Sequence, residues 1–250
     1  MILNIAAYLF VPIDDADALA GRLRARAAAD GLRGSMLVTP EGLNLFLAAE
    51  QATLRGFLDW LREDPRFATL HAKESWSEAV PFKRLRVKRK AEIITFRRSR
   101  SSPLEVGARA PVVTPETLAR WIGQGHDDAG KRLVLLDTRN RQEVAHGTFA
   151  GALTLPIDKF TELPAALEEH REALRDATVV SFCTGGVRCE KAALWLRQDG
   201  WDNLLQLDDG ILGYFEQAGG AGYEGGCFVF DERVALSPAL RPLVDGGGIA

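Results

Sequence analysis

Cys183 is the side chain in this sequence best placed to act as a nucleophile. It follows the apolar run Thr178–Phe182, which reads as a buried strand, and precedes a stretch over Glu190–Gln198 that reads as a helix. Open α/β sheets build their sites at the carboxyl ends of strands. Between strand and helix lies Cys183-Thr184-Gly185-Gly186-Val187-Arg188. Gly185 and Gly186 let the backbone curl, so that Thr184, Gly185, Gly186 and Val187 form a cradle of inward-pointing N–H groups. The dipole of the following helix adds to it. The anion so held is the sulfur of Cys183, as a thiolate or a persulfide, and Arg188 adds a fixed positive charge. Each effect lowers the thiol pKa, and the thiolate is the reactive form. A lone cysteine at a strand end is ordinarily a small buried hydrophobe. The glycine pair, the arginine and the strand-to-helix position together point to a reactive thiol with Cys183 and Arg188 as the catalytic pair.

Spacing narrows the chemistry. A Cys-x4-Arg loop encloses less room than the Cys-x5-Arg loop of cysteine phosphatases, and so suits a sulfur atom better than a phosphoryl group. Cys189, six residues on, is placed either to resolve a persulfide as a disulfide or simply to pack. Cys227 reads as structural, and His146 as a hydrogen-bonded turn residue. Trp121, Trp195 and Trp201 read as core or helix-packing side chains. The three cysteines form no Cys-x-x-Cys pair and no disulfide framework, so no metal site is expected.

The elements that must position this loop read as a parallel sheet. Thr114-Pro115-Glu116 opens a helix, with Thr as N-cap and Pro at the first helical position. Leu133–Leu136 and Leu204–Leu207 are further buried strands, and alternation with helices gives an α/β domain with helices on both faces of the sheet. The chain ahead of it reads as a smaller α+β, ferredoxin-like domain. It has an apolar strand from Ile2, and a helix capped by Asp14 or Asp15 and ended by Gly31. Two strands then flank the turn Thr39-Pro40-Glu41-Gly42, followed by a helix over Thr53–Arg62 and a fourth strand within Phe67–Ser75. The expected boundaries are 1–98 for this domain, 99–110 for a linker, 111–236 for the α/β domain and 237–250 for a C-terminal tail.

Charge is unevenly spread. Pro81–Arg100 holds nine cations and one acid, Glu92, a local charge of +8 in a chain of net −3. Strand alternation over Phe82–Lys90 puts Arg84, Arg86, Lys88 and Lys90 on one face, with Leu85 and Val87 on the other. Such a row contacts a phosphate backbone, or else guards a sheet edge against aggregation. The N-terminus lacks the basic region of a signal peptide, and no run approaches the roughly 20 apolar residues of a membrane span. The reading is a reduced, cytoplasmic protein.

The loop Cys183–Arg188, continued by Cys189-Glu190-Lys191, resembles the active loop of rhodaneses. Asp137-Thr138-Arg139-Asn140 with Glu143, then His146-Gly147-Thr148-Phe149-Ala150-Gly151-Ala152, is similar to the other rhodanese signature, whose Arg139 and Glu143 equivalents are structural. Four further runs extend the likeness: Gly34 to Asn44, Pro81 to Lys88, Cys189-Glu190-Lys191 and Cys227 to Arg233. They resemble the TrhO family over most of residues 1–236. The sequence departs from that family at Leu45 and Phe46, where members often have Gly-Thr, and in lacking the cysteine-rich extension that many carry at the C-terminus.

The resemblance implies a tRNA modification enzyme, an oxygen-dependent hydroxylase acting at C5 of the wobble uridine through Cys183, with tRNA as partner. It tips the row Arg84, Arg86, Lys88 and Lys90 toward tRNA. Molecular oxygen is the implied co-substrate; no cofactor is evident, since neither a dinucleotide fingerprint nor an iron-triad spacing occurs. Two alternatives stand beside it. A rhodanese sulfurtransferase would draw sulfane sulfur from a donor and hold it as a Cys183 persulfide. A non-catalytic RNA-binding module would leave the loop idle.

Overall fold

The computed structural model describes residues 1–243; residues 244–250, the end of the expected tail, lie outside the described residues. The chain divides into two compact units, Met1–Ile94 and a second beginning at Thr95.

The first unit runs β1 (Ile2–Phe10), α1 (Ala16–Ala29), β2 (Arg33–Thr39), β3 (Gly42–Glu50), α2 (Gln51–Arg62), β4 (Ala72–Ser77) and β5 (Leu85–Arg89). The sheet order is β4-β1-β3-β2-β5, so the β-α-β-β-α-β pattern is present with a fifth strand added beside β2. Alternation sends Leu3, Ile5 and Ala7 of β1 and Leu43, Leu45 and Leu47 of β3 into one core. Leu19, Leu23 and Ala27 of α1 and Leu54, Phe57, Leu58 and Leu61 of α2 cover it. Burying side chains of this size contributes roughly 1.5–3 kcal/mol apiece against the entropy of ordering the chain.

Two local details differ from expectation. Asp15 stands at the N-cap of α1, but its side chain makes no capping bond. It pairs instead with Arg22 and Arg66, which hold its carboxyl down at about 2. The fourth strand starts later than the apolar run at Phe67 suggests. Asp64 accepts a hydrogen bond from the Arg66 N–H, and Pro65 opens a single 3-10 turn that sends Phe67 into the core. Strand pairing resumes only at Ala72.

The second unit runs α3 (Pro103–Val106), β6 (Val112–Val113), α4 (Pro115–Gln124), β7 (Leu133–Asp137), α5 (Arg141–Val144), β8 (Gly147–Phe149), β9 (Leu153–Thr154), α6 (Leu163–Glu168) and α7 (Arg171–Leu174). It continues with β10 (Thr178–Phe182), α8 (Val187–Gln198), β11 (Leu204–Leu207), α9 (Gly210–Ala218), β12 (Tyr223–Gly225), β13 (Cys227–Phe228) and β14 (Ala235–Leu236). The main sheet has the order β6-β11-β10-β7-β9, and every pairing in it is parallel. The crossovers β6→β7 and β10→β11 run in opposite directions across the sheet. Parallel crossovers are right-handed, so α4 and α8 cover opposite faces. This is the expected α/β architecture, preceded by a smaller α+β unit.

β10 is buried along its whole length at the centre of the sheet, which is why its sequence is a continuous apolar run. The segment 99–110 contains α3, where Ser102 and Glu105 form a capping box around Pro103. Thr114 caps α4 by accepting from the Thr117 N–H.

Candidate active site

Cys183 emerges from the carboxyl end of β10, and α8 begins four residues later. Gly186 is the N-cap of α8 with φ of +99°, a conformation that side-chain-bearing residues rarely adopt. The helix therefore starts at Val187 rather than near Glu190, and Arg188 and Cys189 both lie in its first turn. The Gly186 N–H donates to Cys183 Sγ at 3.2 Å. The backbone N–H groups of Arg188 and Cys189 also favour the charged form of this sulfur. The cradle is thus built from the glycine turn and the open end of the helix together.

Cys183 is only 1% exposed. Burial alone would raise its pKa. The Cys189 thiol, the Arg188 guanidinium and the backbone donors outweigh burial and hold Cys183 well below its ordinary value. Cys189 goes the other way: burial and the neighbouring Cys183 sulfur push it well up, so it remains a thiol. It is buried, as a packing residue would be, but its sulfur sits among polar groups. Thr138 Oγ1 lies 3.4 Å from it, and the Cys183 and Ser181 side chains both act on its titration. Cys227 is buried too, and burial pushes it up to about 12.

Arg188 does not face an open anion site alone. Its Nη1 and Nη2 bond to Glu143 Oε2 and Oε1 at 2.6 and 2.7 Å. Glu143 is fully buried in α5, where it also accepts from the Asn140 N–H. The guanidinium is held in one orientation, and the carboxylate balances its charge in the absence of a thiolate.

Neighbouring strands fix the loop from two further sides. β7 is the parallel partner of β10, and Thr138, just beyond its end, bonds the Phe182 carbonyl through both N–H and hydroxyl. Asp137 and Arg139 form a fully buried pair, and Arg139 Nη2 also donates to the Gly147 carbonyl at 2.6 Å. From the other side, the Ile211 and Leu212 N–H groups at the start of α9 donate to the Cys183 and Thr184 carbonyls at 2.9 and 3.1 Å. Gly210 makes this approach possible: a Cβ there would lie 2.5 Å from the Cys183 carbonyl oxygen and 2.7 Å from the Gly186 nitrogen. Thr184 Oγ1 reaches the Phe228 carbonyl at 3.4 Å, which brings β13 against the loop. His146 is exposed; its ring lies 5.2 Å from that of Phe228, and among the described residues it makes no side-chain hydrogen bond.

Cys183, Thr184, Gly185, Gly186, Val187, Arg188 and Cys189 therefore form one constellation. Arg84, Arg86, Lys88 and Lys90 belong to the other unit, exposed on or beside β5 at the edge of its sheet, with Leu85 and Val87 turned to the core. Arg89, off that row, pairs with Asp17 at 3.3 Å. The contributions of Thr138, Ser181 and Gly210 were not visible in the sequence. Their only signals are Thr138 directly after a strand-ending Asp137, and the turn Asp208-Asp209-Gly210 after β11. Trp121 and Trp201 are buried, and Trp195 lies under the Arg98 guanidinium.

Among the described residues no helix is long and apolar enough to cross a membrane. Residues 2–93 match the UPF0176 acylphosphatase like domain, and residues 114–217 match the Rhodanese-like domain. The chain is 63% identical over 245 residues to the tRNA uridine(34) hydroxylase of Xanthomonas euvesicatoria pv. vesicatoria, with 98% of each chain covered. It is 62% identical over 250 residues to that of Xanthomonas campestris pv. campestris strain 8004, covering all of this chain and 98% of the relative. Against that of Xylella fastidiosa strain M23 it is 58% identical over 245 residues, covering 98% and 95%.

Proposed function

The chain belongs to the tRNA uridine(34) hydroxylase family, and on that premise we propose that it hydroxylates the wobble uridine of tRNA with Cys183 as the reacting thiol. The observation that carries the reading is identity of 58–63% along nearly the whole length of relatives so named, with an intact Cys183 loop. The protein is an enzyme that modifies tRNA, and its second unit is a rhodanese-like domain. The added oxygen goes to C5 of the base and comes from molecular oxygen. The chemistry of the site supports a thiolate role: Cys183 is held well below its ordinary pKa, oriented, and shielded from bulk water. The target base of an anticodon loop is single-stranded, so it can be turned out toward a buried group. Arg84, Arg86, Lys88 and Lys90 offer a row of cations for the tRNA backbone. The place of action is the cytoplasm, where tRNA is processed.

Mass spectrometry of digested tRNA tests this. A strain lacking the protein should lose 5-hydroxyuridine derivatives. Wild type should restore them and Cys183→Ser should not. Unchanged tRNA in the deletion strain would overturn the hydroxylase reading. Restoration by Cys183→Ser would remove the thiol from it.

A further inference from the structure

Hydroxylation by molecular oxygen has a fixed electron count. Dioxygen accepts four electrons: two come from the C5–H bond of uridine, and two must come from a reductant. Two reducing side chains meet in this site. Cys183 and Cys189 flank the glycine turn six residues apart, both sealed from solvent, and the Cys189 thiol favours the charged form of Cys183. One directly follows β10, the other sits in the first turn of α8, and the glycine turn joins them.

We infer that Cys183 and Cys189 together are the internal two-electron donor of the hydroxylation, a reading that rests on the proposed function. The balance is uridine C5–H plus O2 plus two thiols giving uridine C5–OH, water and one disulfide. The O–O bond breaks; one oxygen enters C5 and the other leaves as water. The Cys189 S–H bond is lost and the Cys183–Cys189 bond forms; Cys183 enters as a thiolate, so one proton from solvent completes the water. Cys183 reacts first, as the ionised sulfur, and Cys189 closes the disulfide on it. Cys189 is thus a second catalytic thiol.

The geometry suits that closure. Closure brings the two sulfurs to about 2.05 Å. Thr138 Oγ1, which also bonds the Phe182 carbonyl just before Cys183, lies 3.4 Å from the Cys189 sulfur. The Cys227 thiol donates to its neighbouring Phe228 carbonyl at 3.7 Å. The inference also gives the enzyme a place in a reaction sequence: a reaction of the thiol–disulfide exchange class, using a reduced dithiol, must follow each turnover.

The test is a single turnover. Reduced full-length protein, freed of small thiols, is mixed in air-saturated buffer with an anticodon stem-loop carrying uridine at position 34. The expected result is one 5-hydroxyuridine and one Cys183–Cys189 disulfide per active site, with Cys227 still reduced. A stem-loop with cytidine at that position should give neither, which separates turnover from air oxidation. Added dithiol should convert the single turnover into many. In Cys189→Ser and Cys189→Ala, single-turnover product should fall to background while Cys183 still titrates as a thiolate.

Product formed with both thiols still reduced, or formed undiminished by both Cys189 variants, overturns the inference and leaves the hydroxylase reading standing. No product from the wild type even with dithiol removes the hydroxylase reading, and this inference with it.

Discussion

Arg188 and Glu143 are joined by two hydrogen bonds of 2.6 and 2.7 Å, with both side chains almost wholly buried, although they lie 45 positions apart. The pair ties the start of α8 to α5 and sets the charge next to Cys183. Removing one partner leaves the other charged and buried, which costs about 3–5 kcal/mol. Glu143→Gln should therefore lower the thermal midpoint by several degrees or more. In the protein that remains folded, an uncompensated Arg188 should lower the Cys183 pKa further. An unchanged melting curve would mean that the pair is not closed in solution.

The thiols should titrate apart. Cys183 is held low because its neighbours favour the charged form, while Cys189 and Cys227 are held up by burial. Ultraviolet thiolate absorbance should show one thiolate well below pH 9 and two groups still protonated there. Cys183→Ser should abolish the early step, and Arg188→Met should move it upward. The linkage has the same sign: a thiol lowered in the folded state adds stability above its unfolded pKa, and loses it as pH falls through the folded value. Three thiols titrating together near 9 would contradict the arrangement.

The reactive loop was readable because its signals are local. The apolar run into Cys183, the glycine pair and Arg188 fall within a dozen residues. The start of α8 was not, because Gly186 in a left-handed conformation lets the helix begin before its apolar spacing becomes regular. The partners of the loop were not readable either. Glu143, Thr138 and Ile211 reach it from separate elements, by register and crossover that no spacing encodes. In the first unit, periodicity marked the two helices, but the seat of the fifth strand beside β2 depends on a pairing some fifty residues distant.

Gly210 tests how tightly the loop must be held. A methyl group at this position meets the Cys183 carbonyl and the Gly186 nitrogen, all backbone atoms that cannot swing aside. The residue also sits at φ +65°, where an L side chain is strained. Gly210→Ala should cost about 1–3 kcal/mol by overpacking. It should also push the cradle off the sulfur, so the early thiolate step should move up in pH and hydroxylation should fall with it. Stability lost without any change in the Cys183 titration would show that α9 supports the fold but not the thiol.

The row on β5 makes a prediction of a different kind. Arg84, Arg86, Lys88 and Lys90 are exposed beside Ser35 and Leu37 of β2, at a sheet edge. Cations that neutralise phosphates release counterions, so the slope of log affinity against log salt counts them. Replacing Arg86 and Lys88 by Ala should weaken tRNA binding and reduce that slope by about 1 for each phosphate no longer neutralised. Phosphates carry no sequence information, so the weakening should be similar for different tRNA species. Folding should be unaffected, since neither side chain enters the core. The competing role for such a row is to keep an edge strand from pairing with another copy. That role predicts an unchanged salt slope and increased self-association of the double variant, and sedimentation measured alongside the binding titration decides between the two.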